Sequence, residues 1–307
     1  EKDSVFHPGL KLNYVADIRE LSLIRSGEGT SKSPFYDSFH NLDIYSEAIY
    51  WKMDNPFLNF EPVKGSLGLG RATFESSNYF SKPRYLKLQG IDLMNPLNVI
   101  KSYANKYNVS EVSVQGLAEE MRIPQNQVIA LLVNLSNQGF VIYEKEDRKA
   151  RIKDKLFDYI DAVNKKIDYD VINIYSDIEG APNGKINLLN FDLTVNGIRG
   201  IVASDSQQVV ILPNQGQIKM KKNLFFEFAG QVKAGRLDFY GQEFSFDYEN
   251  FKINLTNIDS LRLKALSGEK DLEGNPILAP VKTVIEGVNG DLLIDDQGSL
   301  FIGGNPY

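Results

Sequence analysis

Ser38, His40 and Asp43 are the nearest approach in this chain to a nucleophile, a base and an orienting acid. Such triads are built from spatial roles rather than from local spacing. In extended backbone Ser38 and His40 would share one face and Asp43 the other, and no G-x-S-x-G elbow occurs. The trio therefore reads as a polar strand edge or turn. Gly27-Glu28-Gly29-Thr30-Ser31-Lys32-Ser33 has the Lys-Ser pair of a phosphate loop, but Ser31 stands where a glycine must let the backbone wrap the phosphates. Gly65-Ser66-Leu67-Gly68-Leu69-Gly70 carries its glycines in the reverse of the dinucleotide spacing and lies among strands. Both read as turns. Asp177-Ile178-Glu179, Asp271-Leu272-Glu273 and Asp291 with Asp295-Asp296 offer oxygen ligands for calcium, yet none fits the twelve-residue calcium loop. A glycosidase-type carboxylate pair can come from any two distant segments, and nothing singles one out. The expectation is no catalytic residue, no cofactor and no metal ligand.

Composition narrows the chemistry further. The 307 residues contain no Cys, only His7 and His40 as histidines, and Trp51 as the one tryptophan. Thiolate catalysis, disulfides and Cys-type zinc sites are thereby excluded, and a His-rich metal centre is hardly feasible. With 34 basic against 40 acidic residues the net charge is -6, which argues against nonspecific attraction to nucleic acid or anionic lipid. No apolar run approaches ~18 residues, so no membrane-spanning helix is expected. A 42% hydrophobic content with 18 Phe and 15 Tyr is ample for packed cores. The opening Glu1-Lys2-Asp3 and the closing Gly303-Gly304-Asn305-Pro306-Tyr307 read as the ends of a piece of a longer or processed protein.

The elements that would carry any site change character along the chain. Residues 1–94 read as short strands: Leu10–Val15, Glu20–Arg25, Ile44–Trp51, Phe57–Phe60, Arg71–Glu75 and Tyr85–Gln89. The aromatics crowded there (Tyr36, Tyr45, Tyr50, Trp51, Tyr79, Phe80, Tyr85) read as core and cross-strand pairs. At Asn95-Pro96 the period becomes helical. Asn95 is a good N-cap, and Leu97, Ile100, Ala104 and Tyr107 follow at helical spacing. Ser113 caps a second helix bearing Val114, Leu117 and Met121; Pro124 opens a third with Val128, Leu132 and Leu135, closed by Gly139. Phe140–Tyr143, a charged loop and Ala150–Ile152 then read as two strands. Asp154–Ile167 reads as a connecting amphipathic helix.

Three short helices followed by a charged hairpin are the order of a winged helix. Val114-Gln115-Gly116-Leu117-Ala118-Glu119-Glu120-Met121 through Gln138-Gly139-Phe140-Val141 resembles the helix-turn-helix core of that family. The resemblance implies a fold for residues 95–153 and two functions, DNA reading or protein interaction. DNA readers place cations and amides on the recognition helix. Here the segment Pro124–Gln138 has no charged residue, only the amides of Gln125, Asn126, Gln127 and Asn134, and the stretch Glu144–Lys155 has six basic against four acidic residues. That is too few cations for a binder that must neutralise several phosphates. The candidate interaction surface is Gln125, Asn126, Gln127 and Asn134 with Lys145, Arg148, Lys149 and Arg151.

From Tyr169 onward, runs of ~5 residues ending at Gly or Asn turns (Leu224–Phe228, Arg236–Tyr240, Glu243–Tyr248, Phe251–Leu255, Ser260–Leu263) suggest a sandwich, jelly roll or solenoid. This series resembles the stacked β-layers of lipopolysaccharide-transport and AsmA-like bridge proteins, and the aromatic, Cys-free style resembles large Bacteroidota envelope proteins. The expected fold is mainly β, with β-sandwich, jelly-roll or β-solenoid layers and an α/β winged-helix-like insert. The expected organisation is a β segment over 1–94, the insert over 95–153, a connecting helix over 154–168 and a β segment over 169–307. The expected role is a non-catalytic structural or protein-interaction segment of an envelope-associated or exported protein, with other protein segments as partners. The alternatives are a nucleic-acid-binding regulator and a lipid- or glycan-binding β-layer.

Overall fold

The computed structural model describes residues 3–26, 28–65, 70–77, 80, 82–89, 94–164, 166, 172–270, 274 and 276–294. The described residues are mainly β, in antiparallel sheets of which none closes on itself. The chain divides into two compact units. The first comprises residues 1–55, 62–66 and 74–171; the second comprises 56–61, 67–73 and 172–307.

In the first unit, Lys11–Val15, Glu20–Ile24 and Ala48–Lys52 form an antiparallel meander. Val5–Phe6, Phe35–Asp37 and Leu42–Tyr45 form a second antiparallel ladder. The run from Ile44 to Trp51, expected as one strand, is broken after Tyr45 and resumes at Ala48. Five α-helices follow among the described residues: α1 (Lys82–Gln89), α2 (Pro96–Tyr107), α3 (Val114–Met121), α4 (Gln125–Asn137) and α5 (Asp154–Val163).

α1 corrects the expectation of a strand over Tyr85–Gln89. Alternation misled there because Tyr85 and Leu88, three residues apart, turn one helical face into the core shared by the other helices. The predicted caps hold. Asn95 accepts from the Leu97 amide at 3.0 Å, Ser113 accepts from Gly116 at 3.0 Å, and Gly139 (φ +77°) follows α4 in the left-handed region. Pro124 sits one position earlier than expected, as the extended residue before α4. A three-stranded antiparallel sheet (Glu111–Ser113, Lys149–Ile152, Val141–Glu144) completes the helical part. Its core gathers Leu97, Ile100, Leu117, Leu132, Phe140 and Tyr159. Each such buried side chain contributes about 1.5–3 kcal/mol. α5 gives Leu156, Tyr159 and Ile160 to this same core; Ile167, expected at its end, lies outside the described residues.

In the second unit, Phe57–Glu61, Gly184–Asn187, Leu193–Val195, Ile218–Met220, Phe226–Ala234, Leu237–Asp247 and Lys252–Lys270 pair antiparallel in that order. Pro276–Ile285 and Val288–Leu293 both pair with Lys252–Lys270. The expected series of ~5-residue strands is corrected to strands of 9, 11 and 19 residues. Gly230 and Gly241, read as turns, lie within strands where the ladder shifts register. A glycine inside a strand marks a bulge as readily as an end. No helix among the described residues is long and apolar enough to cross a membrane.

Candidate functional site

A buried network of ionisable side chains lies inside the first unit. Lys155 Nζ lies 3.0 Å from Asp43 Oδ2 and 2.9 Å from Glu75 Oε1, with Lys155 and Asp43 side chains at 0% exposure. Lys153 Nζ donates to Asp43 Oδ1 at 2.6 Å. Arg84 grips both oxygens of Glu75 at 3.0 and 3.3 Å, in a fork that suits a carboxylate. Tyr36 lays its ring 3.9 Å from the Lys153 ammonium.

Local sequence explains how these groups arrive. Asp43 lies in the strand Leu42–Tyr45, which is covered on both faces. Glu75 lies at the buried end of the strand Gly70–Ser76. Lys153 and Lys155 flank the start of α5, and Arg84 comes from α1. Gly139 makes room for the carboxylate, since a Cβ there would stand 2.4 Å from Asp43 Oδ2. Ser33 joins the same region to α4, meeting the Ser136 hydroxyl at 3.0 Å and donating to Asn137 Oδ1 at 3.3 Å.

Burial pulls the Lys155 ammonium toward its neutral form, but Asp43 and Glu75 outweigh it and hold Lys155 above the ordinary lysine range. Lys153 moves the other way: burial, with the neighbouring Lys155 charge, lowers it despite Asp43. Burial likewise opposes the charge of Arg84, and Glu75 reverses the balance upward. Five ionisable groups are thus committed to one another. A charge set this dry is held because removing any one partner leaves another uncompensated.

The residues singled out from sequence as a hydrolytic trio part company. Asp43 binds the two lysines, Ser38 Oγ accepts from the Ser4 amide, and His40 Nδ1 meets Asp37 Oδ2 at 2.6 Å. His40 sits in a turn and is fully buried, and its Nε2 has no hydrogen-bond partner among the described residues. Asp177 pairs with Arg199 and Asp291 with Lys252. Gly27, residues 66–69, Tyr79, Asp271, Glu273, Asp295 and Asp296 lie outside the described residues. Among the described residues no three His, Asp or Glu side chains are grouped to hold a metal ion. Tyr50 and Tyr85 are buried; Tyr36, Tyr45, Trp51 and Phe80 are half-buried.

The candidate interaction surface is exposed. Gln125, Asn126 and Gln127 occupy the first turn of α4, and Arg148, at the tip of the charged hairpin with φ +51°, donates to Gln125 Oε1 at 3.0 Å. Lys145 and Lys149 stand exposed on the hairpin, Arg151 lies 5.7 Å from the Phe6 ring, and Asn134 accepts from Gln138 at 2.6 Å.

Beside the network, His7 donates from Nε2 to the Ser33 carbonyl at 2.8 Å while its Nδ1 accepts from the Gly9 amide at 3.1 Å. Only a neutral ring satisfies both. Burial, with the nearby Arg25 charge, lowers His7 from 6.5 to about 4. Because the folded value is depressed, the unfolded chain takes up a proton that the folded chain refuses. This group's contribution is intact above pH 6.5 and is lost as the pH falls toward 4. An NMR titration should find the His7 ring changing protonation near pH 4; a midpoint near 6.5 would contradict the buried, doubly bonded ring.

Comparison with protein-family models, with curated proteins and with solved structures returns no match to this chain.

Proposed function

We propose that this chain is a non-catalytic structural and protein-interaction segment of an envelope-associated or exported protein, in which residues 95–153 form a winged-helix-like module fixed to the flanking strands. The order helix, short strand, two helices and a hairpin over 96–152 supports the module. The envelope setting rests on the resemblance of the strand series to lipopolysaccharide-transport and AsmA-like layers and of the aromatic, Cys-free style to large Bacteroidota envelope proteins.

One observation carries the non-regulatory reading: Lys153 and Lys155 are spent on Asp43 and Glu75. Without them the stretch 144–155 keeps four basic against four acidic residues. The exposed first turn of α4 adds amides and no charge. A duplex would therefore meet a nearly neutral surface, whereas nonspecific DNA affinity comes from cations that displace counterions. A neutral amide face beside a mixed-charge hairpin suits a protein partner, whose contact core disfavours charge.

Fluorescence anisotropy of a labelled 24-base-pair duplex tests this. In about 50 mM salt the chain should show no saturable binding up to about 10 µM, the middle of the ordinary nonspecific range. Binding that weakens with salt and is lost in Arg148→Ala with Lys149→Ala would establish the regulator instead.

A further inference from the structure

The second unit holds a cleft that the proposed function does not use. About 620 Å3 in volume, it lies over the strands Ile218–Met220, Phe226–Ala234 and Leu237–Asp247. That size is ordinary for a small-ligand site. Strand register builds its wall. Lys219 pairs with Glu227 and Glu227 with Ser245, so three polar side chains stand in a row across three strands. Glu243, two residues before Ser245, shares their face. The row is about 10 Å long at the usual strand spacing. Gln217 and Gln242 add amides, and Phe225 contributes a half-exposed ring.

The support beneath is firm. Phe228 and Phe244 are buried edge-to-face at 5.7 Å. Glu243 is oriented by Asn257, which donates Nδ2–H to Oε2 at 3.1 Å, and Gln217 donates to Asn196 at 2.8 Å. The lining carries Glu227 and Glu243 against Lys219, one net negative charge, because Lys221 holds Asp192 at 2.8 Å and reaches Glu227 only at 3.8 Å.

These features select a chemistry. Carboxylates and amide carbonyls accept from hydroxyl groups, amide N–H groups donate to them, and an aromatic face takes the C–H side of a ring. A polyanion would meet two carboxylates. An acyl chain would cover these polar groups without bonding them, which is costly. We propose that this cleft binds a neutral oligosaccharide, two or more sugar rings lying along the row from Lys219 to Glu243 with one ring on Phe225.

Saturation-transfer NMR on the full chain tests it with maltotetraose, cellotetraose, mannotetraose and tetra-N-acetylchitotetraose, each at about 5 mM, a concentration that reveals millimolar binders. At least one sugar should receive saturation. Glu243→Gln should weaken its binding about tenfold, the worth of one charge-assisted hydrogen bond. Phe225→Leu should weaken it similarly while keeping the buried bulk. Gln242→Ala, at an exposed position, is the second polar variant if either of these melts early. No transfer to any of the four sugars, or equal binding by all three variants, overturns the proposal. So does saturable binding of tetralysine that Glu243→Gln abolishes, which would mark an acidic cation-reading surface instead.

Discussion

Lys155→Met is expected to remove about 3–5 kcal/mol from the stability of the first unit, the usual consequence of taking one partner from a buried ion pair. The methionine fills the space of the lysine stem, so packing is nearly conserved. What is lost is the charge between Asp43 Oδ2 and Glu75 Oε1, each about 3 Å from Nζ. Asp43 retains Lys153 and Glu75 retains Arg84, so neither carboxylate is wholly orphaned. Two neighbouring carboxylates then lie in the dry interior without the cation that bridged them. Trp51, the only tryptophan, belongs to the first unit, so its fluorescence during urea unfolding reads the relevant transition. A loss below about 1 kcal/mol would mean that water reaches the network and screens it.

The quadruple replacement Asp43→Leu, Glu75→Met, Lys153→Met and Lys155→Met separates two meanings of the cluster. Buried ionic groups exchanged together for apolar ones of similar size are often neutral or stabilising. Arg84, 29% exposed, can turn to water when Glu75 is gone. If the quadruple variant regains most of the lost stability, the network is an orientation device: it fixes where α5 and the segment before it meet the strand Leu42–Tyr45. If it unfolds as readily as Lys155→Met, the charges contribute stability outright.

What the sequence makes legible follows the range of each physical rule. Asn95-Pro96, Ser113 and Gly139 act within one turn of chain, so the starts of α2 and α3 and the end of α4 were legible. Helical periodicity also names Leu97, Ile100, Leu117, Val128, Leu132 and Leu135 of the helical core, but it adds Tyr107, which is 51% exposed, and omits the buried Tyr159. Tyr85–Gln89 failed because five residues of alternating character fit either period, and Pro83 just inside the helix start was the unused signal. The network is not legible locally because its members are remote in sequence: 110 residues separate Asp43 from Lys153. A local trace existed nonetheless. Asp43 interrupts an apolar run between Leu42 and Ile44, and Lys155 falls on the apolar stripe of α5 beside Leu156 and Tyr159. A charge where the pattern demands an apolar group is itself evidence of a buried partner. Lys153 and Lys155 read as hairpin cations for the same reason, although both are buried on Asp43 and Glu75.

Gly230→Ala should have the largest single effect in the second unit, a loss of more than about 3 kcal/mol, because strain and collision add. Gly230 holds φ +150° inside the strand Phe226–Ala234, where the pairing with Leu237–Asp247 shifts register. It is also the residue opposite Pro213, the last paired residue of the strand Val209–Pro213. A Cβ at this point would stand 2.3 Å from the Leu212 carbonyl oxygen, 2.9 Å from the Asn214 nitrogen and 3.0 Å from the Pro213 Cα. All three are backbone atoms, so no side chain can swing aside, and the methyl must push the two strands apart. Gly235 supplies the control. It is also left-handed (φ +56°), but its nearest neighbour would be 3.9 Å from the new carbon, so Gly235→Ala should cost only about 1–2 kcal/mol of backbone strain. Hydrogen exchange at the Ile211 and Val232 amides reads the damaged ladder directly. Protection should collapse there in Gly230→Ala and persist in Gly235→Ala, and equal protection in both would show that the strands close over an added methyl without cost.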